Sequence, residues 1–337
     1  MKTREQTMER HAAFFIALLL LILLLPAAIV LPHGESARSN VDRSGRQSLQ
    51  MDTASRADAA VTVNVDRTAT GKQEKVVLER YLVGVVGSEM PAEFALPALE
   101  AQALAARTYI VARMQKGTDA TVTDTVSNQV YHSPGELKKT WGKAYSRKMA
   151  RIEKAVAATD GKIITYRGQP ISPLFFSTSN GYTENARDYW SKDVPYLRSV
   201  PSPWDKQSPK YHNEKKIPVA DVTRALDVRL PSSGAIGHVL RRTAGDRVAV
   251  YAIGAQTFTG RQIREKLQLS SSDFTLTRQG DVVVARTVGS GHGVGMSQYG
   301  AEGLAREGKS AAEIVAYFYR GTKIGTFDPH RGQTVKK

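Results

Sequence analysis

The sequence predicts an α+β fold: mixed helices and strands around a substrate groove, with an inserted α/β subdomain and one N-terminal transmembrane helix. Three observations predict it. Between residues 61 and 325, apolar residues at helical spacing alternate with short runs at strand spacing. Residues 12–31 carry no charge and are dominated by Leu, Ile and Ala. The composition, 41% hydrophobic and 23% charged over 337 residues, is that of a chain that buries a core. The length suits two ordinary domains, or one large domain with an insertion.

Residues 1–11 hold Lys2, Arg4 and Arg10 and are expected to stay in the cytoplasm. Residues 12–31, interrupted at Pro26, are expected to form a transmembrane anchor, because a helix of that length spans roughly 30 Å. A cleaved signal peptide would have a shorter apolar core and a small-x-small end, whereas this run ends Ile29-Val30-Leu31-Pro32. The expected localisation is therefore the cell membrane, single-pass, with everything after residue 32 outside the cytoplasm. Residues 32–60 are rich in Ser, Arg, Asp and Ala and read as a linker.

The net charge of +15 attracts polyanions: nucleic acid, anionic lipid or acidic wall polymers. Export removes nucleic acid from the partners and leaves the wall and the membrane surface. The chain has no Cys, which excludes disulfides, thiolate metal sites and a Cys nucleophile.

In the exported part, alternation at Val61, Val63 and Val65 predicts a strand. From about 76 the pattern is helical: Leu78, Leu82, Val85 and Glu89 share a stripe, which Pro91 ends. Leu99, Ala103, Ala106, Ile110 and Met114 repeat the spacing behind a first-turn Pro97. A third helix is predicted over 144–159, stopped at Asp160-Gly161. Strands are predicted at 163–166 and 171–176, and a loop at 201–216. Within the expected insertion, about 205–285, the pattern gives helices near 219–226 and 260–267 and strands near 248–251 and 282–285. A Gly-rich loop and helices near 298–306 and 311–319 follow, and 326–337 is a tail.

Three segments carry the chemistry. In the first, Glu89 lies on an apolar stripe, where burial of the charge is costly and raises the pKa toward that of a general acid. The alternative is a helix-end carboxylate paired with an arginine such as Arg107. Gln102, Arg107 and Tyr109 on the next helix are placed to line the same groove. In the second segment a strand runs into Ser177, Asn180 and Tyr182, then Asp188 and Trp190. Their hydroxyl, amide and carboxylate groups suit sugar hydroxyls, and the aromatic faces suit sugar rings. The alternative there is a surface turn at Ser179-Asn180-Gly181. In the third, Gly289, Gly291, Gly293 and Gly295 surround His292 and lead to Ser297 and Gln298. The loop lacks the Lys-Ser/Thr of a phosphate-binding P-loop. A backbone passing close to a ligand or to another segment explains the glycines. His292, Ser297 and Gln298 are expected to contact substrate, with a satisfied structural His as the alternative for His292. No two histidines have metal-ligand spacing, and neither metal nor cofactor is expected.

Ser88-Glu89-Met90-Pro91 with Ala101-Gln102-Ala103-Leu104-Ala105-Ala106-Arg107-Thr108, then 177–182, then 291–301, together resemble the stage II sporulation protein D family, over roughly 60–325. Its domain is shared with amidase-enhancer proteins. The resemblance implies a peptidoglycan lytic transglycosylase acting in forespore engulfment, at the engulfing septal membrane. It implies cleavage between N-acetylmuramic acid (MurNAc) and N-acetylglucosamine (GlcNAc) on peptide-stripped strands, with Glu89 as catalytic acid and base. It also implies partners, a cell-wall amidase and a multispanning membrane protein. A non-catalytic glycan-binding module that stimulates the amidase is the alternative. Some members are reported to hold zinc through Cys and His near the segment that here reads Tyr131-His132. With no Cys, that metal is not carried over. Glu93, Glu184 and Asp188 are the carboxylates available as a second catalytic group, as a hydrolase would need.

Overall fold

The computed structural model describes residues 61–117 and 120–327. Strands β1 (Thr62–Arg67) and β2 (Lys72–Val77) pair antiparallel, and β3 (Thr121–Thr123) joins β1 in parallel on its other side. Helix α1 (Leu78–Glu89) follows β2 directly and buries Leu78, Tyr81, Leu82 and Val85, the i, i+3, i+4, i+7 positions of one face. It stops because Pro91 holds the preceding Met90 in extended backbone.

Helix α2 (Leu96–Gln115) opens with Pro97 in its first turn and is the centre of the molecule. Its alanines at 98, 101, 103, 105 and 106 are buried around its whole circumference. Small side chains there let α1, α4 (Tyr145–Ala158), β4 (Lys162–Tyr166), α8 (Gln298–Arg306) and α9 (Ala311–Phe318) all pack against it. No side chain of its own caps α2; the carboxylate of Glu302 on α8 accepts the Ala95 N–H at 2.6 Å instead. Between β3 and α4, helix α3 (Pro134–Trp141) begins with a capping box of Ser133 and Glu136.

Beyond α4, β4 pairs with β5 (Gln169–Pro170) and with the last strand, β15 (Lys323–Thr326). The run predicted as one strand over 171–176 is broken. Pro173 has no N–H to give a sheet, and only β6 (Phe175–Phe176) pairs, in parallel with β14 (Met296–Ser297). A short helix, α5 (Ala186–Trp190), follows.

Residues 212–288 carry a second hydrophobic core, with Val222, Tyr251, Ile263, Phe274 and Val283 at its middle. Its sheets run β7 (His212–Pro218), β13 (Val282–Val288), β12 (Phe274–Gln279), β8 (Gly234–Ala235), and β11 (Gln256–Thr259), β10 (Val248–Ile253), β9 (His238–Arg242). Helices α6 (Val219–Leu226) and α7 (Gly260–Lys266) complete it. The loop expected at 201–216 contains a 3-10 turn at Pro203–Gln207 and the start of β7.

The expectation of a membrane-spanning helix is corrected. Among the described residues no helix is long and apolar enough to cross a membrane, and the predicted anchor at 12–31 lies outside the described residues, as do the linker at 32–60 and most of the tail at 326–337. The fold stands as mixed α+β with several sheets, and the single-pass membrane localisation is withdrawn with the helix that required it.

Candidate functional site

Glu89 ends α1, where the exposed carbonyl ends of the helix already disfavour a negative charge. Its carboxyl is largely buried, and burial raises its pKa above the ordinary carboxylate range. One hydrogen bond opposes this: the Val130 backbone N–H donates to Oε1 at 2.8 Å. No ion pair reaches Glu89 among the described residues. The arginine pairing weighed for it does not form, because Arg107 bonds Glu79 through Nε and Nη2 at 2.9 and 2.6 Å.

The segment carrying Val130 is built to lie on α1. Gly84 leaves α1 without a side chain where it comes close, as Gly87 does one turn on beneath Leu137 and Trp141 of α3. A Cβ at Gly84 would stand 2.4 Å from the Tyr131 ring and 2.6 Å from the His132 carbonyl oxygen. Tyr131 stacks on Tyr81 of α1 at 5.3 Å, and the Tyr81 hydroxyl donates to Gln129. Ser88 Oγ donates to the Gly84 carbonyl and meets His132 Nδ1 at 2.8 Å, so the ring nitrogen is the donor in that pair. Arg67 on β1 grips Glu136 of the α3 capping box through Nη2 at 2.6 and 2.5 Å and lies over the Tyr131 ring. Nearer β3, Asn128 donates to the Tyr109 hydroxyl at 2.7 Å. Tyr109 and Arg113 of α2 and Lys116 just beyond it line, with Trp190, Lys192 and Tyr196, a cleft of about 640 Å³. One segment thus touches Glu89 at one end and a cation-lined cleft at the other.

The second and third segments lie side by side. Besides β6–β14, Thr178 bridges Ser290 and Glu184 bridges Val294. This explains the glycines: each has a positive φ and passes close to protein. A Cβ at Gly291 would meet Phe176, at Gly293 the Arg247 guanidinium, and at Gly295 the Leu174 carbonyl.

The predicted contact residues divide. Tyr182 and Trp190 are exposed at 46% and 37%, and Asp188 is exposed and accepts from Asn185. Gln102 and Gln298 meet, Nε2 of Gln298 donating to Gln102 Oε1 at 3.4 Å; both are buried, and Gln102 Nε2 has no partner among the described residues. The others are engaged by the protein itself, Arg107 and Ser297 buried and Ser177, Asn180 and His292 half-buried. Arg107 is fully buried, and its remaining N–H groups go to the Val156, Thr159 and Lys162 carbonyls. Ser297 caps α8 and donates to Asp205 at 2.5 Å; the Ser177 carbonyl accepts from Tyr299 N–H. Asn180 donates to the Gly245 carbonyl and to Asp273. His292 packs among Phe176, Tyr189 and Trp190 and accepts the Val294 N–H at Nδ1. Burial, with Arg264 and Arg247 nearby, pushes its pKa down to about 3, which keeps the ring neutral.

Sequence reasoning missed Asp205 and Arg247. Asp205 is buried and gathers Ser179 N–H and the hydroxyls of Ser179, Ser202 and Ser297. Neither residue stands in a pattern that a linear reading detects. The Val130 segment had a signal: Gly84, a glycine inside a helix that costs about 1 kcal/mol against Ala, marks a close approach. No three His, Cys, Asp or Glu side chains gather as a metal site among the described residues, and His132 is held by Ser88. The donor set for zinc is not formed at this segment, and no step is derived through a metal.

A family model described as Stage II sporulation protein matches residues 66–166, which include α1, the Val130 segment and α2. Stage II sporulation protein D of Bacillus subtilis (strain 168) is 47% identical over 343 residues, covering 98% of this chain and 100% of that protein. The chain belongs to the stage II sporulation protein D family. The protein of the same name from Bacillus amyloliquefaciens is 44% identical, over 93% of this chain and 95% of its own. A protein named amidase enhancer from Bacillus subtilis (strain 168) is 28% identical over 73% of this chain and 40% of its own length. The family membership gives the chain a role in cell-wall remodelling during sporulation.

Proposed function

We propose that this chain remodels the cell wall during sporulation as a peptidoglycan lytic transglycosylase, cleaving the MurNAc–GlcNAc bond of peptide-stripped strands with Glu89 as acid and then base. The observation that carries this reading is a largely buried carboxyl at a helix C-terminus with no ion-pair partner among the described residues, a setting that favours the protonated acid. Protonated Glu89 gives its proton to the leaving glycosidic oxygen as the bond to C1 of MurNAc breaks. The ionised carboxylate then takes the proton of the same sugar's 6-hydroxyl, whose oxygen bonds to C1 and closes a 1,6-anhydro ring. A single carboxyl suffices. The other three carboxylates are engaged: Glu93 by Arg147 and Lys148, Glu184 by Arg247 and Thr243, Asp188 by Asn185. That favours ring closure over two-carboxylate hydrolysis.

The second reading is a glycan-binding module that stimulates a partner cell-wall amidase within an engulfment complex. The relative named amidase enhancer favours it, and the names of the relatives weigh more on this side than on the side of catalysis. One experiment separates the two. Peptide-free glycan strands are incubated with the protein and the ends are read by mass spectrometry. Anhydro-MurNAc ends that disappear in Glu89→Gln, with strand binding retained, are the expected result. Binding and amidase stimulation without any cleavage would transfer the conclusion to the second reading, and reducing ends would indicate a hydrolase.

A further inference from the structure

A second cleft, of about 490 Å³, lies between α5 and the second core, away from Glu89's own helix. Its charges are unevenly committed. Glu184 accepts from Thr243, Asn185 N–H and Gly245 N–H. Glu265 pairs with Arg261, whose guanidinium lies over Tyr189 at 4.9 Å. Asp188 accepts from Asn185. The exposed side chains of Arg187 and Arg241 form no hydrogen bond or ion pair among the described residues. Ser272 and Arg247 also line the cleft, but their unpartnered Ser272 Oγ and Arg247 Nε are sealed from solvent, the Arg247 guanidinium lying beneath Gly293. A polar cleft with two exposed guanidinium groups that make no hydrogen bond or ion pair is suited to an anion, because guanidinium donors bind carboxylates with charge-assisted bonds.

We propose that this cleft binds the free lactyl carboxylate of a MurNAc residue from which the stem peptide has been removed. The proposal rests on the reading of peptide-free glycan as the ligand. It adds a recognition element for the one group that peptide removal exposes. A strand with its peptides attached carries an amide at that position and cannot satisfy Arg187 and Arg241.

The test uses the full-length chain carrying Glu89→Gln, so that binding is read without cleavage, with Arg187→Glu and Arg241→Glu added together. Arg229→Glu, on another exposed surface, serves as the charge control. The probes are peptide-free glycan strands, chitin oligosaccharides of matched length, which lack the lactyl group, and poly(glycerol phosphate). The expected result is a loss of about tenfold or more in affinity for peptide-free glycan, no change for chitin, and little effect of the control. An equal loss on chitin, or none on glycan, would overturn the proposal. Tighter, arginine-dependent binding of poly(glycerol phosphate) would overturn it in favour of a phosphodiester polymer. If the parent chain binds no glycan at all, the reading of the ligand fails; if it binds and the arginines are silent, only the carboxylate site does.

Discussion

Glu89 shows how one side chain's surroundings set its chemistry. Burial and the helix end favour the neutral acid, and the Val130 N–H favours the anion; burial is the larger influence. As a general acid it must be protonated, so cleavage should fall as pH rises through its raised pKa. The falling limb should lie above the ordinary carboxylate range, and a pH–rate profile on peptide-free glycan measures it. Linkage runs in the same direction. A raised folded-state pKa gives stability that is complete below the unfolded value, about 4.3, and is lost as pH rises through the folded one. Glu89→Gln should therefore match the parent's stability in acid and exceed it at neutral pH, as chemical denaturation at both values would show. The apolar stripe behind this residue was visible in the sequence. Its freedom from Arg107 was not, since the Glu79–Arg107 pair depends on how α1 and α2 cross.

At the scale of elements, the fit of α1 to the Val130 segment is the contact that shapes the site. Gly84→Ala would add helix propensity of about 1 kcal/mol, but its Cβ would overlap the Tyr131 ring and a backbone carbonyl that cannot step aside. Overpacking of about 1–3 kcal/mol wins, and the segment is pushed off Glu89. Reduced stability in urea together with slower glycan cleavage is the expected outcome. The α3 cap anchors the same segment. Burial pushes the Glu136 carboxyl up, but the Arg67 and Ser133 hydrogen bonds outweigh it and hold its pKa at about 2. That depressed value contributes stability above the unfolded pKa and loses it as pH falls from about 4 toward 2. Glu136→Gln should flatten the acid limb of a stability–pH curve.

Elements with strong internal signals were legible: α2 with its first-turn Pro97, α4, α8 and α9 fall where helical spacing put them. Those defined by their partners were not. β2, Lys72–Val77, carries four residues with polar or charged side chains and is recognisable only from its pairing with β1. Strand β7 looks like charged loop until β13 lies beside it. The same reason hid half the site. Arg107, Asn180 and Ser297 have the chemistry of sugar contacts, yet partners 28 to 93 residues away engage them.

At the scale of the whole molecule, polar contacts tie the two hydrophobic cores together, among them Asn180–Asp273, Thr243–Glu184 and the buried Glu184–Arg247 contact at 3.9 Å. Removing either partner strands the other in a dry setting, at a cost of about 3–5 kcal/mol. Replacing both, as Glu184→Gln with Arg247→Leu, should recover much of that loss. A double-mutant cycle by urea denaturation is the measurement, and additive losses would show that the two side chains act independently.

Helix α2 is covered by α1, α4, β4, α8 and α9, and this has a consequence for solvent isotopes. Its central amides have no local route to water, so they should exchange with deuterium only when the whole domain opens. The peptide over 101–111 would then report global unfolding, while the segment over 125–132, which rests on α1 through a few contacts, would report its own local opening. A single labelling experiment would read, in one chain, both how firmly the protein is folded and how often Glu89 loses its cover.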